Sequence, residues 1–575
     1  MMNTKTNLTL AIVSLLALAH FFNEKRSDRT DYTKASLSFI KCTPAQFMLG
    51  DIDTTKQISP LFNNLGNLHF SITTKNKRAQ AFFDQGIKLS YAFNHAEAHR
   101  SFMEAARLDP ESAMAYWGQA YALGPNINDP LPLEDRKNKI NEALSMAHGL
   151  VSGASRKEQA LIEALSARYS TDLNKDPDLL DMAYFKKMEK VVEQFPDDAN
   201  IQILFAQSAM NTVRWNYWDK EGNPSPNIKA AKKALEKAME LEPENPGGHH
   251  YYIHMVELPY PDKGVKSADK LASLMPGAGH IVHMPSHIYI RVGRYLDAVK
   301  TNQLAIVADE DYISQCFAQG LYPLAYYPHN IHFLWSSASL LGASEIAIDA
   351  AKKTAEKVPV GELKDLPFLQ DFAATPLLAY TRFGKWNEIL TIPAPNAEIK
   401  HLNLIRHYAR GIAFIKKGNI TKAQEELKAI AVLKEDPALE SIVATANNAS
   451  VHAANIAYEV VSGELEAFQG NYTRAIEHLE RAVRFEDGLT YTEPAAWHIP
   501  TRQNLGAVLL KAEQYEKAEK VYTEDLNILR QNGWSLMGLY QSLRLQGKKE
   551  EAQTIKTEFD KAWEHADIKI ETSVL

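Results

Sequence analysis

A chain of 575 residues with 45% hydrophobic content can bury a large core, yet it is too long for one compact globule. Lys and Arg number 63 against 70 Asp and Glu, and the net charge of -7 without a long one-sign block argues against a dedicated nucleic-acid binder. Two cysteines, Cys42 and Cys316, exclude a disulfide framework and a Cys-based zinc site; two unpaired thiols are the simpler reading, a single bridge the other.

The chain starts Met-Met-Asn-Thr-Lys and runs into an apolar stretch from Leu8 to Phe22, with Ala17-Leu18-Ala19 as a small-residue cleavage candidate. This is the pattern of a secretory signal, so residues 1–30 are read as a signal peptide or N-terminal anchor and 31–75 as an extended lead-in. The stretch is shorter than the roughly 20 apolar residues of a spanning helix. The expected location is therefore exported, in a periplasm, cell envelope or extracellular space, with membrane contact only through an uncleaved anchor.

From Ala79 the sequence AQAFFDQGIKLSYAFNHAEAHRSFMEAARLDP places Gly86, Ala98, Phe102, Ala105 and Pro110 in a 34-residue register of two helices. Small residues let the two helices approach, large apolar ones fill the gap, and Pro110 ends the second helix. The register recurs from Thr212 (Trp215, Ala231, Leu235, Ala238, Pro243) and Gly279 (Gly293, Tyr295, Ala298, Ala305). It returns from Pro328 (Gly342, Ala347), Leu404 (Gly411, Gly418, Ala423), Ile456 (Gly463, Gly470, Ala475) and Ile499 (Gly506, Tyr515, Ala518). Sustained period-two alternation is missing, so strands are not expected, and 124–135 and 219–227 read as loops.

These units resemble tetratricopeptide repeats over most of residues 79–565. The stretches YAFNHAEAHRSF, AMAYWGQAYALGPNIN, YYIHMVE, HMPSHIYIRVGRYLDA and PHNIHFLW are also similar to a bacterial family of uncharacterised, often exported repeat proteins. The resemblance implies an all-α, right-handed superhelical solenoid of antiparallel helix pairs, whose concave groove, lined by first helices, takes a peptide or protein partner. Three spans are expected: N-terminal repeats 76–245, a His-rich centre 246–345, and C-terminal repeats 346–575.

Eight of 19 histidines lie between 249 and 332. His250 and His254 are four apart on one helix face, with Glu257 three further on; His283 and His287 repeat the spacing, His280 precedes them, and His329 and His332 follow. In the resembled fold these places face the groove from three adjacent first helices. Two such pairs and a carboxylate form an N/O set suited to a divalent transition metal, namely Zn, Cu, Fe or Ni. Pro285 interrupts the helix between His283 and His287, and the Glu257 stripe ends near Pro259, so both placements await the backbone. Hydrogen-bonded groove histidines gripping a peptide are the plainer alternative.

Arg214, Asn216, Trp218 and Asn330 are further groove candidates, Arg offering a bidentate fork to a carboxylate. Trp497 and His498 stand before Pro500, where they could rim the groove. No phosphate loop, Gly-x-Ser-x-Gly elbow or His-Glu-x-x-His helix occurs. Two functions remain open: a binding scaffold holding a metal ion and a partner, or a metal-dependent hydrolase or oxidoreductase with Glu257 as ligand or base and Arg291 orienting an anionic substrate.

Overall fold

The computed structural model describes residues 55–575 apart from 129–133, 171, 173–174, 220, 317–321 and 446. The expected leader at 1–30, the first part of the lead-in, Cys42 and part of the 124–135 loop lie outside the described residues. Residues 55–76 hold no helix and lay Leu65, Leu68, Phe70 and Ile72 onto the first helix pair.

From Lys77 onward the chain is an all-α solenoid of tetratricopeptide-type helix pairs, each packed on the next. The first pair shows the local cause. Asn76 and Asn94 cap the helices Lys77–Tyr91 and His95–Leu108 by accepting backbone N–H groups, which satisfies donors that a bare helix start leaves unpaired. The Phe102 ring then fills the space between Gly86 and the Gly118 of the following helix, where a Cβ added at either glycine would collide with it.

The turn between paired helices has a fixed backbone requirement. The fifteenth place of successive units takes a left-handed φ at Gly293 (81°), Gly342 (77°), Gly418 (72°) and Gly470 (82°), where glycine costs least. In the first unit the same place is Phe93, at φ 57°. In the unit from Ile499 it is Glu513, also at φ 57°. A side chain larger than glycine's is strained at such a place.

A departure from the all-helical expectation occurs at Val443–Thr445 and Asn448–Ala449, which pair as two short antiparallel strands. The β-branched run before Asn447, itself at φ 61°, makes a tight reversal cheap at that point.

The apolar core divides near residue 290, one part reaching back to Leu65 and the other forward to Ile570. The C-terminal units return onto the central ones. Trp534 Nε1 donates to Ser339 O at 3.0 Å, Tyr295 Oη to Arg530 O at 2.8 Å, and Arg530 forms a two-pronged pair with Asp262 at 2.7 and 2.9 Å. The Arg530–Asp262 pair is solvent-exposed and adds at most about 1 kcal/mol. The fully buried Trp534 indole is the stronger tie.

The Gly86 contact yields a measurement. Gly86→Ala should lower unfolding stability by about 1–3 kcal/mol, because Phe102 has no room to yield. Gly149→Ala, with nothing within 4 Å, should leave stability unchanged or slightly raised in the same urea titration.

Candidate metal centre

Four helical segments bring the central imidazoles together. The helix Pro246–Val256 carries His250 and His254 and is buried at every residue. Pro285 does divide the next first helix, into Gly279–His283 and Pro285–Arg291, but Met284 between them keeps right-handed helical angles. The proline sits at the first position of the new segment, where its missing N–H matters least. His280, His283 and His287 consequently stay on one face, and the helix Tyr327–Leu341 adds His329.

The rings sort into two neighbouring triads. Ring nitrogens of His250, His254 and His280 lie within 4.8 Å of one another, as do those of His283, His287 and His329. The triads adjoin, with ring centroids 5.7 Å apart for His254 and His287 and 5.9 Å for His280 and His283. The first is fully buried, and the second is buried except at His329, which is partly exposed.

Hydrogen bonds fix which nitrogen of each ring is free. Asn302 Nδ2 donates to Ala298 O, which turns Asn302 Oδ1 toward His283 Nδ1 at 2.7 Å. His283 therefore carries its proton on Nδ1 and presents Nε2 as a lone pair. His287 Nδ1 lies 2.7 Å from Glu257 Oε2, a contact that needs the proton on Nδ1. The two Nε2 atoms face each other at 2.9 Å, a hydrogen bond when His287 carries a second proton on Nε2 and a pair of facing lone pairs when it does not. In the first triad His250 Nδ1 donates to the Tyr91 carbonyl at 2.5 Å, leaving Nε2 without a partner, and neither ring nitrogen of His280 has one.

Charge follows burial. Desolvation, reinforced by neighbouring imidazoles, drives His250, His280, His283 and His329 well below the ordinary imidazole value. His254 is lowered by burial too. Burial also pushes the Glu257 carboxyl up, but the charge and hydrogen bonds of His287 and His254 outweigh it and hold the group at about 2. Glu257 thus stands as a carboxylate between the triads, 2.7 Å from His287 and 3.6 Å from His254.

Aromatic residues roof the cluster, a role that sequence spacing does not reveal. The strained Phe93 lays its ring 4.5 Å from His250, 5.2 Å from His280 and 5.7 Å from His254. Trp215, also left-handed at φ 60°, meets His254 edge-on at 5.1 Å. Phe333 covers the second triad, 4.9 Å from His283 and 4.8 Å from His287. One signal for Phe93 does lie in the register: it occupies a turn position that four later units give to glycine.

Several expected site residues lie elsewhere. His332 does not join a triad; its Nε2 faces Asp371 at 4.0 Å, and His401 faces the same carboxylate at 3.6 Å. Arg214 is drawn to Asp181 at 2.6 Å and Asp178 at 3.4 Å. Trp218 donates to Met255 O at 2.7 Å and so anchors the end of the His250 helix, while Asn216 is exposed in a turn. Asn330 donates to Asp309, which also accepts from Tyr322; burial raises that carboxyl to about 7. Arg291 does stay beside the cluster, its guanidinium 5.8 Å from the Tyr491 ring. Tyr491 donates to Glu493 at 2.9 Å, within the electrostatic reach of Arg291, His287 and Glu257.

No protein-family model matches the chain, and no curated protein matches it. Among solved structures, a human IFIT1 dimer with m7Gppp-AAAA is 14% identical over 86% of this chain and 92% of that one, with a TM-score of 0.31. Yeast Tom70 is 13% identical over 84% and 90%, at 0.25, and the P58(IPK) TPR domain is 13% identical over 82% and 99%, at 0.20. Superpositions this loose carry no functional argument, and the helix pairs themselves define the fold.

Phe93 makes the strain measurable. At a left-handed residue glycine costs less than alanine, so Phe93→Gly should be more stable than Phe93→Ala by about 1 kcal/mol. At Phe102, inside a right-handed helix, the order should reverse by about 0.5–1 kcal/mol. Paired urea denaturation curves of the four variants read this out.

Proposed function

We propose that this is an exported helical-repeat protein that binds transition-metal ions at two adjoining three-histidine stations, His250/His254/His280 and His283/His287/His329. The reading rests on the gathering of three ring nitrogens at each station, with the Nε2 atoms of His283 and His287 only 2.9 Å apart. A proton can bridge that pair, and a metal ion that displaces the proton takes both nitrogens as ligands. With bonds of about 2.0–2.1 Å, two nitrogens about 2.9 Å apart subtend a right angle at the ion.

The donor chemistry narrows the ion. Neutral imidazole suits Zn, Cu, Fe and Ni, and among the described residues no cysteine joins either triad. Three protein ligands leave a coordination position open, as in catalytic metal sites. Glu257 then serves as the carboxylate behind the ligand rings, orienting His287 and His254 and raising their basicity. This differs from the ligand or base role expected from its spacing.

A second reading, a metal-dependent hydrolase or oxidoreductase, draws on one observation. Arg291, Tyr491 and Glu493 lie within electrostatic reach of His287 and Glu257, a charged and protic set able to orient an anionic substrate. Helical-repeat scaffolds also commonly hold peptide or protein partners, and such a partner remains part of the proposal.

Metal analysis of purified protein after loading with Zn2+, Cu2+, Ni2+ or Fe2+ and gel filtration should find about two ions per chain for at least one metal. His250→Ala/His254→Ala and His283→Ala/His287→Ala should each retain about one. Folded wild-type protein that retains none of the four metals would refute the proposal.

A further inference from the structure

The C-terminal half buries a guanidinium in an arrangement unlike any of the ion pairs around it. A buried cation costs several kcal/mol unless it is paired. Arg168, 2% exposed, is handled in the ordinary way, with Asp181 at 2.7 Å. Arg382 is 4% exposed, and among the described residues no carboxylate lies within ion-pair distance of it.

What surrounds Arg382 is neutral and aromatic. Its Nη1 donates to Gln503 Oε1 at 2.8 Å, and its guanidinium carbon sits 3.7 Å from the centroid of the Trp534 ring. Asp525 is one amide removed, since Gln503 Nε2 donates to it at 3.1 Å. The second arm, Nη2, has no partner.

Other orphaned polar atoms gather beside it. Trp497 Nε1 and both ring nitrogens of His498 are buried without partners. Trp497 and His498 pack 5.3 Å apart, and against Tyr408 at 5.0 and 5.7 Å. Arg382 acts electrostatically on both Tyr408 and His498; burial, helped by that charge, holds the His498 imidazole down at about 3. His498 is therefore neutral and offers a single N–H. Four unpartnered atoms on three residues, around one unpaired cation, are more than a packed repeat interface requires.

We propose that Arg382, Trp497 and His498 form a binding site for the carboxylate group of a small organic acid, separate from the histidine stations. A carboxylate is planar and carries two acceptor oxygens. One can take the free arm of the guanidinium fork, the other the indole or imidazole N–H, and its charge completes the pairing that Arg382 lacks. The rings of Tyr408, Trp497 and Trp534 supply apolar walls for the short carbon chain behind it. Trp497 and His498, groove-rim candidates by sequence position, thereby gain a specific ligand chemistry.

The test is isothermal titration of the full chain, in a carboxylate-free and phosphate-free buffer, with acetate, benzoate and inorganic phosphate. Saturable one-to-one binding of acetate or benzoate is expected, with phosphate at least tenfold weaker. Arg382→Lys keeps the charge but loses the fork and should weaken binding tenfold or more. Trp497→Phe keeps the ring but loses the N–H and should weaken it several-fold. The His250→Ala/His254→Ala variant should bind the acid as wild type does, which separates this site from the metal proposal. Neither acid binding saturably, phosphate binding as tightly, or unchanged affinity in both substituted proteins would overturn the assignment. Should Arg382→Lys not fold, the affinity of Trp497→Phe decides by itself, and an unchanged value there overturns the assignment equally.

Discussion

Two imidazole lone pairs cannot share a short axis without something positive between them, and that constraint organises the centre of this molecule. His283 and His287 meet at such an axis, with Asn302 and Glu257 on their far sides. His250 is held similarly by the Tyr91 carbonyl. Burial makes the imidazolium expensive at His250 and His283, which leaves their lone pairs open to a metal ion.

The surrounding architecture bears costs that a packing role alone would not explain. Phe93 accepts a left-handed backbone where four later repeats use glycine, and its ring closes over the first triad. Trp215 does the same from another turn. Strain persists where surrounding structure enforces it, and here it encloses a site and lowers its local dielectric. The return of the C-terminal units onto residues 262–345 completes the enclosure and brings Tyr491 and Glu493 to Arg291. The imidazoles thus line an enclosed interior rather than an open groove.

Much of this was legible in the sequence, for reasons of period. A 34-residue register specifies helix pairs because the small and large residues it positions are those that let two helices touch, as Gly86 and Phe102 do. Spacing of four fixed the pairs His250/His254 and His283/His287 on common faces. Spacing of three put His332 near the stripe of His329, but it could not show that Asp371, which also faces His401, would meet the His332 ring. Phe333, Asn302 and the Tyr91 carbonyl were not legible, because register shows which face a residue occupies, not what a distant segment lays upon it. Arg214 and Trp218 failed as groove residues for a related reason: nearby Asp181 and the Met255 carbonyl meet their donors first.

If the six histidines hold two ions side by side, anomalous diffraction from metal-loaded crystals, recorded on both sides of the absorption edge of the bound metal, will show them directly. Two peaks are expected, one bounded by His250, His254 and His280 and one by His283, His287 and His329. Peaks confined to surface histidines, with the six rings metal-free in a well-ordered interior, would contradict the paired stations.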